Sequence, residues 1–585
     1  MLKDALDIFK SIPEDYREKL IVDTYIPADG TYVLVEPKDD SFIISESINI
    51  KNNKKNGEIE GRNNVNYPKF CEFDYNSKLI DMNKPMDGSK IIHSNNYFSF
   101  FIKKESLVND KLTKEVINNY YDVLEDPKKK YEKKKKAKEV YENIEKNVGD
   151  VDRDTIEKIR AWIIENIFNL EKEMTEGKDY LKIFFDYPLE EYKREGRRYF
   201  IPNIYNSNDY NFKAGNEILG LPNDNMGMNS KKPYLDNKSR GLNLPYVLNN
   251  EEVLLQKEFF DYLMNLVSAG KSNIIINEED EKIHGYKNGE LPKRDCVGIF
   301  MHLKKGKNEA EIHECDIIEG FKSKLHKEFN FKNYLKLNLE DKNVSQQRYG
   351  KVSLVKDFQG LLNEVFFGKC LINNYFTEAK DLNISDSCVK SNLLLSRNSI
   401  FNFIFKGSRN NVFEILDKVS LSLVKGAILN GFQISASHKF NLRLSCIEYK
   451  GGIDVAEILS KTINSVKEKI NADNYMPLEN DEEYYFSIGQ IVSYLLSKYK
   501  GKNKPLSLAA PFINAKSNAV LKENLRKLYN KYTYDPSCNN KKFKNYYVLV
   551  TGYEPEEKVN EDMIIAGFLS KNLIYSKEEN DNDEK

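Results

Sequence analysis

The sequence predicts an α+β fold, and three observations carry that prediction. Short β-like runs alternate with Asn/Gly/Lys turns from Tyr32 to Lys104, a hairpin pattern covers Val297 to Ile318, and beyond about Val344 the spacing is nearly all helical.

In chain order, "MLKDALDIFKSIPEDYREKL" has the period of an amphipathic, charged helix. "TYVLVEP" and "YFSFFIKK" follow as strands, with His93, Asn95 and Asn96 as a turn before the second and Lys103 and Lys104 at its end. Helical spacing covers Thr113 to Asn147 and Asp154 to Glu173, the latter with Ile156, Ile159, Ile163 and Phe168 on one side and Trp162 nearby. An irregular, Asn-rich block runs from Arg197 to Asn250, and "VGIFMHLKKGKNEAEIHECDII" reads as a hairpin turning near Gly306. Near the C-terminus, Phe486, Ile488, Val492, Leu495, Leu496 and Tyr499 form an apolar helical stripe. These shifts suggest four segments: an α+β domain at 1–180, a loop-rich region with the hairpin at 181–343, a helical domain at 344–475 and a helical bundle at 476–585.

A chain of 585 residues is long enough for several cores, and a hydrophobic content of 40% excludes wholesale disorder. Its 89 basic and 90 acidic residues cancel to a net charge of −1, so only local separation of charge can identify a charged partner. No apolar run approaches the length of a membrane span, and seven scattered cysteines without a C-x-x-C fit reduced thiols. A cytoplasmic protein without membrane association is expected.

Motifs for catalysis are weak. "AGKSN" ends like a phosphate-cradling loop, but Asn265 stands where the first Gly is needed, and a helix precedes and a strand follows, the reverse of a nucleotide-binding turn. His302, His313 and Cys315 fall near one another on the hairpin, short of the four ligands of a structural zinc. Asp280 and Lys282 in "IIINEEDEK" could belong to a metal-dependent nuclease, but the nearest upstream acid, Asp261, lies in a helical run. No G-x-S-x-G elbow is present. The expectation is no catalytic residue, no metal and no cofactor, with a stand-alone nuclease as the alternative and a scaffold without nucleic-acid contacts as a third possibility.

What remains is basic and amide-rich surface interleaved with rings. "LPNDNMGMNSKKPYLDNKSRG" (Leu221 to Gly241) has neither strand nor helix period and reads as an ordered loop, with Asn225, Asn229 and Asn237 able to read base edges and Lys231, Lys232, Lys238 and Arg240 able to anchor phosphates. "REGRRYFIPNIYNSNDYN" sets Arg194, Arg197 and Arg198 beside Tyr199, Phe200 and Tyr205. Between Lys498 and Lys544 bases far outnumber the two acids Glu523 and Asp535, so Arg526 and Lys527 are candidates for holding a single strand, with stacking on Tyr529 or Tyr532. "KKKYEKKKKAK" (Lys128 to Lys138) fits a solvated helix face equally well.

The chain resembles the large, signature subunit of type I-B CRISPR Cascade complexes. The resemblance rests on "NMGMNSKKPYL", "IPADGTYVLV", "IIHSNNYFSFFIKKESL", "PNIYN", "FNLRLS" and "DEEYYFSIGQIVSYLLS", in that family's order and along essentially the whole chain. It implies a non-enzymatic antiviral-defence role: holding the 5′ end of the CRISPR RNA, reading the protospacer-adjacent motif on target double-stranded DNA, and helping to recruit the helicase–nuclease beside Cascade backbone and guide-handle subunits. Asn95 and Asn96 read first as turn residues that fix the backbone, with guide-handle contact as the alternative, and Lys103 and Lys104 lie on the adjoining surface. The resemblance also makes Met476 a candidate internal start for a separately made, small-subunit-like bundle.

Overall fold

A computed structural model describes residues 2–53, 58–78, 86–132, 135–205, 208–222, 247–306, 310–340, 349–408, 411–451, 455–499, 506–556 and 558–575. With about 53% helix and 18% strand, the latter concentrated toward the N-terminus, the protein is α+β. Its contacts divide into two units, residues 1–287 with 298–317 and residues 288–297 with 318–585.

Unit 1 is built on five strands, β1 (Gly30–Lys38), β2 (Ser41–Asn52), β3 (Ile59–Glu60), β4 (Ser99–Lys103) and β5 (Tyr180–Phe185), in the order β3-β2-β1-β5-β4. β1 runs parallel to β5, and every other pairing is antiparallel. Both central strands read as near-continuous apolar runs because both of their faces are covered. On one face, Phe70 and Phe73 of the helix Tyr67–Tyr75 pack on Phe184, and Tyr192 of the helix Leu189–Phe200 stacks on Phe73 at 4.1 Å. On the other, Trp162 of the helix Arg153–Asn166 meets Phe185, and Tyr120 and Tyr121 of the helix Lys114–Glu125 meet Phe100. Both of these helices start where the sequence supplies a cap, Thr113 accepting from the Val116 N–H and Asp152 from the Thr155 N–H.

One strand of that sheet carries a charge into the interior. Lys182 Nζ donates to the fully buried Asp74 at 2.6 Å, and the other Asp74 oxygen accepts from Tyr25 at 2.9 Å and Tyr32 at 3.3 Å. The Lys182 ammonium also lies 4.8 Å from the Phe101 ring centre and 5.0 Å from that of Tyr32.

After the small ribbon of β6 (Phe212–Ala214) and β7 (Glu217–Leu219), unit 1 has a second core. Strands β8 (Asn273–Asn277), β9 (Lys282–Tyr286), β10 (Cys296–Lys305) and β11 (Ala310–Phe321) pair in the order β11-β10-β8-β9. Ile274, Ile276 and Met301 of this sheet pack with Phe259 and Leu263 of the helix Asn250–Ser268 and with Phe9 of the helix Leu2–Ser11. The order helix then strand around "AGKSN" is as read from sequence, and the expected hairpin is β10 and β11.

His302 on β10 is drawn into this core. Its Nδ1 lies 2.8 Å from the Asn273 Oδ1, its ring is 6.2 Å from that of His313, and burial, helped by His313, pushes its pKa down to about 4. The folded state therefore favours the neutral ring, and its contribution is complete above the unfolded pKa and declines as the pH falls from about 6.5 toward 4. Wild type is expected to lose about 2 kcal/mol more stability between pH 7 and pH 5 than His302→Gln. Parallel urea curves for the two proteins at those pH values would contradict this.

Unit 2 holds the ribbon of β12 (Lys324–Phe331) and β13 (Gly350–Leu354), and most of its other described elements are helices. Its hub is the helix Asp481–Ser497, in which the expected stripe is widened by Tyr484, Tyr485, Ile491 and Tyr494 until the helix is buried on all sides. It crosses the helix Glu561–Leu569 at closest range where two glycines face backbone: a Cβ on Gly489 would run into the Ile564 carbonyl oxygen, and one on Gly567 into that of Phe486.

The core around this hub is continuous from Tyr334 to Ile574 and does not stop at Met476. Lys469 and Glu483, both buried, pair at 2.7 Å across that position, and Arg443 of "FNLRLS" forms a two-pronged ion pair with Asp562 at 2.7 and 2.8 Å. No helix among the described residues is long and apolar enough to cross a membrane.

Candidate nucleic-acid interface

The loop expected to read DNA, with Asn225, Asn229, Lys231, Lys232, Asn237, Lys238 and Arg240, lies outside the described residues. Its flanks are described, and they meet. Gly220 and Leu248 exchange both backbone hydrogen bonds at 3.0 Å, and Pro222 pairs with Tyr205. Tyr205 of "PNIYN" is fully buried beneath this junction, its hydroxyl 2.7 Å from Asn250 Oδ1. From there the chain passes directly into the helix Asn250–Ser268, whose start is fixed by a reciprocal cap: Asn249 accepts from the Glu252 N–H at 2.9 Å, and Glu252 accepts from the Asn249 N–H at 3.1 Å. The described chain on either side of residues 223–246 thus comes together at one point.

The arginines of "REGRRYF" separate by burial. Arg198 is fully buried and committed to Glu195 at 2.8 Å and to the Gly149 and Asp150 carbonyls, so it serves the fold and not a phosphate. Tyr199 is likewise buried, donating to the Leu124 carbonyl at 2.7 Å. Arg197 is half exposed, 3.3 Å from Glu14, at the edge of a cavity of about 290 Å³. Glu18, Glu72 and Glu258 line that cavity beside Lys193 and Lys257, so an entering phosphate would meet acids as often as bases. Arg194 pairs with Glu191.

Three more expected contacts are inside the protein. Asn95 is buried, its N–H donating to the Ser77 carbonyl at 3.0 Å. Asn96 is wholly buried, its side chain donating to the Tyr192 carbonyl at 2.8 Å and accepting from the Phe98 N–H at 3.1 Å. The Asn96 amide satisfies backbone that the core would otherwise leave unpaired, and burial takes both residues off the surface. Lys104 is buried against Asp179 at 2.9 Å, whereas Lys103 is exposed, 4.0 Å from Glu105.

Arg526 and Lys527 are exposed on the helix Asn518–Tyr532 and share Glu523, at 2.9 and 3.5 Å. The rings expected to stack bases beside them are occupied: Tyr529 lies on Tyr547 at 3.9 Å, and Tyr532 is buried in the core. In the lysine run, Lys128 pairs with Glu145 at 2.9 Å and Lys136 donates to the Asn211 carbonyl at 2.8 Å, as on a solvated face.

No family model matches this chain. No curated protein and no solved structure matches it either.

The acids considered for a nuclease do not converge. Asp280 is exposed, accepting from the Lys282 N–H at 3.2 Å and facing His284 at 3.4 Å. Asp261 is held by Lys257 and accepts from Tyr75 at 2.9 Å; burial would raise its pKa, but Lys257 and Lys78 outweigh that and bring it below the usual range. Among the described residues, no group of three or more His, Cys, Asp or Glu is placed to hold a metal. Sequence reading passed over a ring-lined pocket in unit 2, at Phe403, Phe413 and Tyr449, because its residues come from three separate helices.

Proposed function

We propose that this chain is a non-catalytic nucleic-acid-binding subunit of a CRISPR RNA-guided surveillance complex, working in the cytoplasm as the counterpart of the type I-B Cascade large subunit. It reads the protospacer-adjacent motif of foreign double-stranded DNA, holds the CRISPR RNA 5′ end and helps recruit the helicase–nuclease. The observation that supports this reading is the meeting of the two flanks of the amide- and lysine-rich sequence 223–246, where Gly220 pairs with Leu248 and Pro222 with the buried Tyr205. The motif resemblance supplies the complex and its partners, and the exposed Arg197, Lys103, Arg526 and Lys527 supply further cations.

Duplexes carrying different flanking motifs, measured by gel shift against the loop variants, test the reading. Asn225→Ala with Asn229→Ala should flatten the preference among motifs, since a good bidentate base contact is worth ~1–3 kcal/mol of discrimination. Lys231→Ala with Lys232→Ala should weaken every duplex and reduce the salt slope. A folded quadruple variant that binds all duplexes like wild type would sink the role of the loop, and cutting of labelled DNA with magnesium would favour the nuclease.

A further inference from the structure

Unit 2 contains a cavity of about 530 Å³, a size suited to a small-molecule or nucleotide ligand. Its floor is three half-buried rings. Phe403, near the end of the helix Ser387–Lys406, meets Phe413 edge-on at 5.7 Å, and Phe413, at the start of the helix Val412–Leu429, lies 5.3 Å from Tyr449 of the helix Gln433–Gly451. Two buried rings hold these from behind: Phe358 against Phe403 at 5.8 Å, and Phe329 against Tyr449 at 5.4 Å. The Tyr449 hydroxyl is fixed as well, 3.1 Å from His326 Nδ1. Gly407 caps the first of these helices in the left-handed region, and a Cβ there would stand 2.6 Å from the Gly320 carbonyl oxygen, so this end of the pocket is set by backbone packing.

The rim is cationic. Lys322, Lys324 and Lys327 are exposed along β12 and the turn before it, and the Lys327 ammonium lies 4.5 Å from the Tyr449 ring centre. Asp295, which lines the pocket, accepts from Ser323 and holds Lys322 at 3.1 Å, while Glu328 on β12 is paired with Lys351 at 2.8 Å. Rings with open surface, rigidly backed and rimmed by lysines, match a flat aromatic group attached to phosphate. A paired base cannot present its face to such a cavity, but an unpaired one can.

From this geometry we infer that the Phe403–Phe413–Tyr449 pocket binds an unpaired nucleotide of a single strand, the base against the rings and its phosphates at Lys322, Lys324 and Lys327. The inference rests on the proposed nucleic-acid role and adds a site remote in sequence from the 223–246 segment. The shared ligand chemistry has two sources, guide RNA and displaced DNA.

The test uses the full chain with short labelled single-stranded RNA, single-stranded DNA and duplex DNA, followed by fluorescence anisotropy. Phe403→Ala with Phe413→Ala, and separately Lys322→Glu with Lys324→Glu at exposed positions that folding tolerates, should each weaken single-strand binding about fivefold or more and leave duplex binding unchanged. A 2-aminopurine in the strand should dim on binding wild type and stay bright with the ring variant. Preferential loss with RNA assigns the guide, and equal loss with DNA assigns any unpaired strand. If wild type binds duplex but no single strand, or if both variants bind single strands like wild type, the pocket proposal is overturned while the proposed function stands. If an acidic peptide binds there and oligonucleotides do not, the pocket is a protein site. If wild type binds no nucleic acid, both readings fall.

Discussion

Lys182→Met is expected to destabilise unit 1 by about 3–5 kcal/mol, because it strands the fully buried Asp74 carboxylate without its counter-charge. Tyr25 and Tyr32 cannot substitute: burial and the neighbouring carboxylate keep both phenols protonated, so they donate hydrogen bonds but bring no charge. Adding Asp74→Asn should recover most of the loss, since a neutral amide can still accept from the tyrosines. Urea unfolding of the single and double variants decides it. A single variant with the wild-type midpoint would mean that water or a shift of the strand relieves the charge.

Gly489→Val should cost unit 2 about 3 kcal/mol or more, the upper range for overpacking, because the obstruction is backbone and cannot rotate away. Gly451→Ala, where an added Cβ meets nothing within 4 Å, is the control and should change little. Thermal unfolding followed by circular dichroism reports both. Wild-type behaviour of Gly489→Val would show that the two helices do not approach as closely as described.

The elements with strong local periods were legible. β1 and β4 lie under "TYVLVEP" and "YFSFFIKK", the hairpin is β10 and β11, and helices fill the C-terminal half. β5 escaped notice, and the expected segment boundary at 180 fell at its first residue, because the parallel pairing of β1 with β5 leaves no local signal and Lys182 interrupts the apolar run. Burial was the other blind spot. Arg197 and Arg198 are adjacent and identical, yet one reaches solvent and the other is locked inside; only Glu195, one helical turn before Arg198, hinted at the difference. Asn96, by contrast, does what its place in the turn suggested, fixing backbone through the Tyr192 carbonyl and the Phe98 N–H.

The parallel pairing in unit 1 sets a timetable for synthesis. β1 and β2 emerge early and pair with each other, but the far edge of β1, apolar from Tyr32 to Val35, has no neighbour until Tyr180–Phe185 is made. At ribosomal rates that interval is on the order of 10 s, long compared with the microseconds in which a hairpin forms. During it the nascent chain carries a sticky, half-finished sheet, and unit 1 still awaits residues 298–317. Slow elongation or heavy overexpression should therefore favour misassembly through this edge, and a chaperone that shields extended apolar segments should raise the yield of native protein.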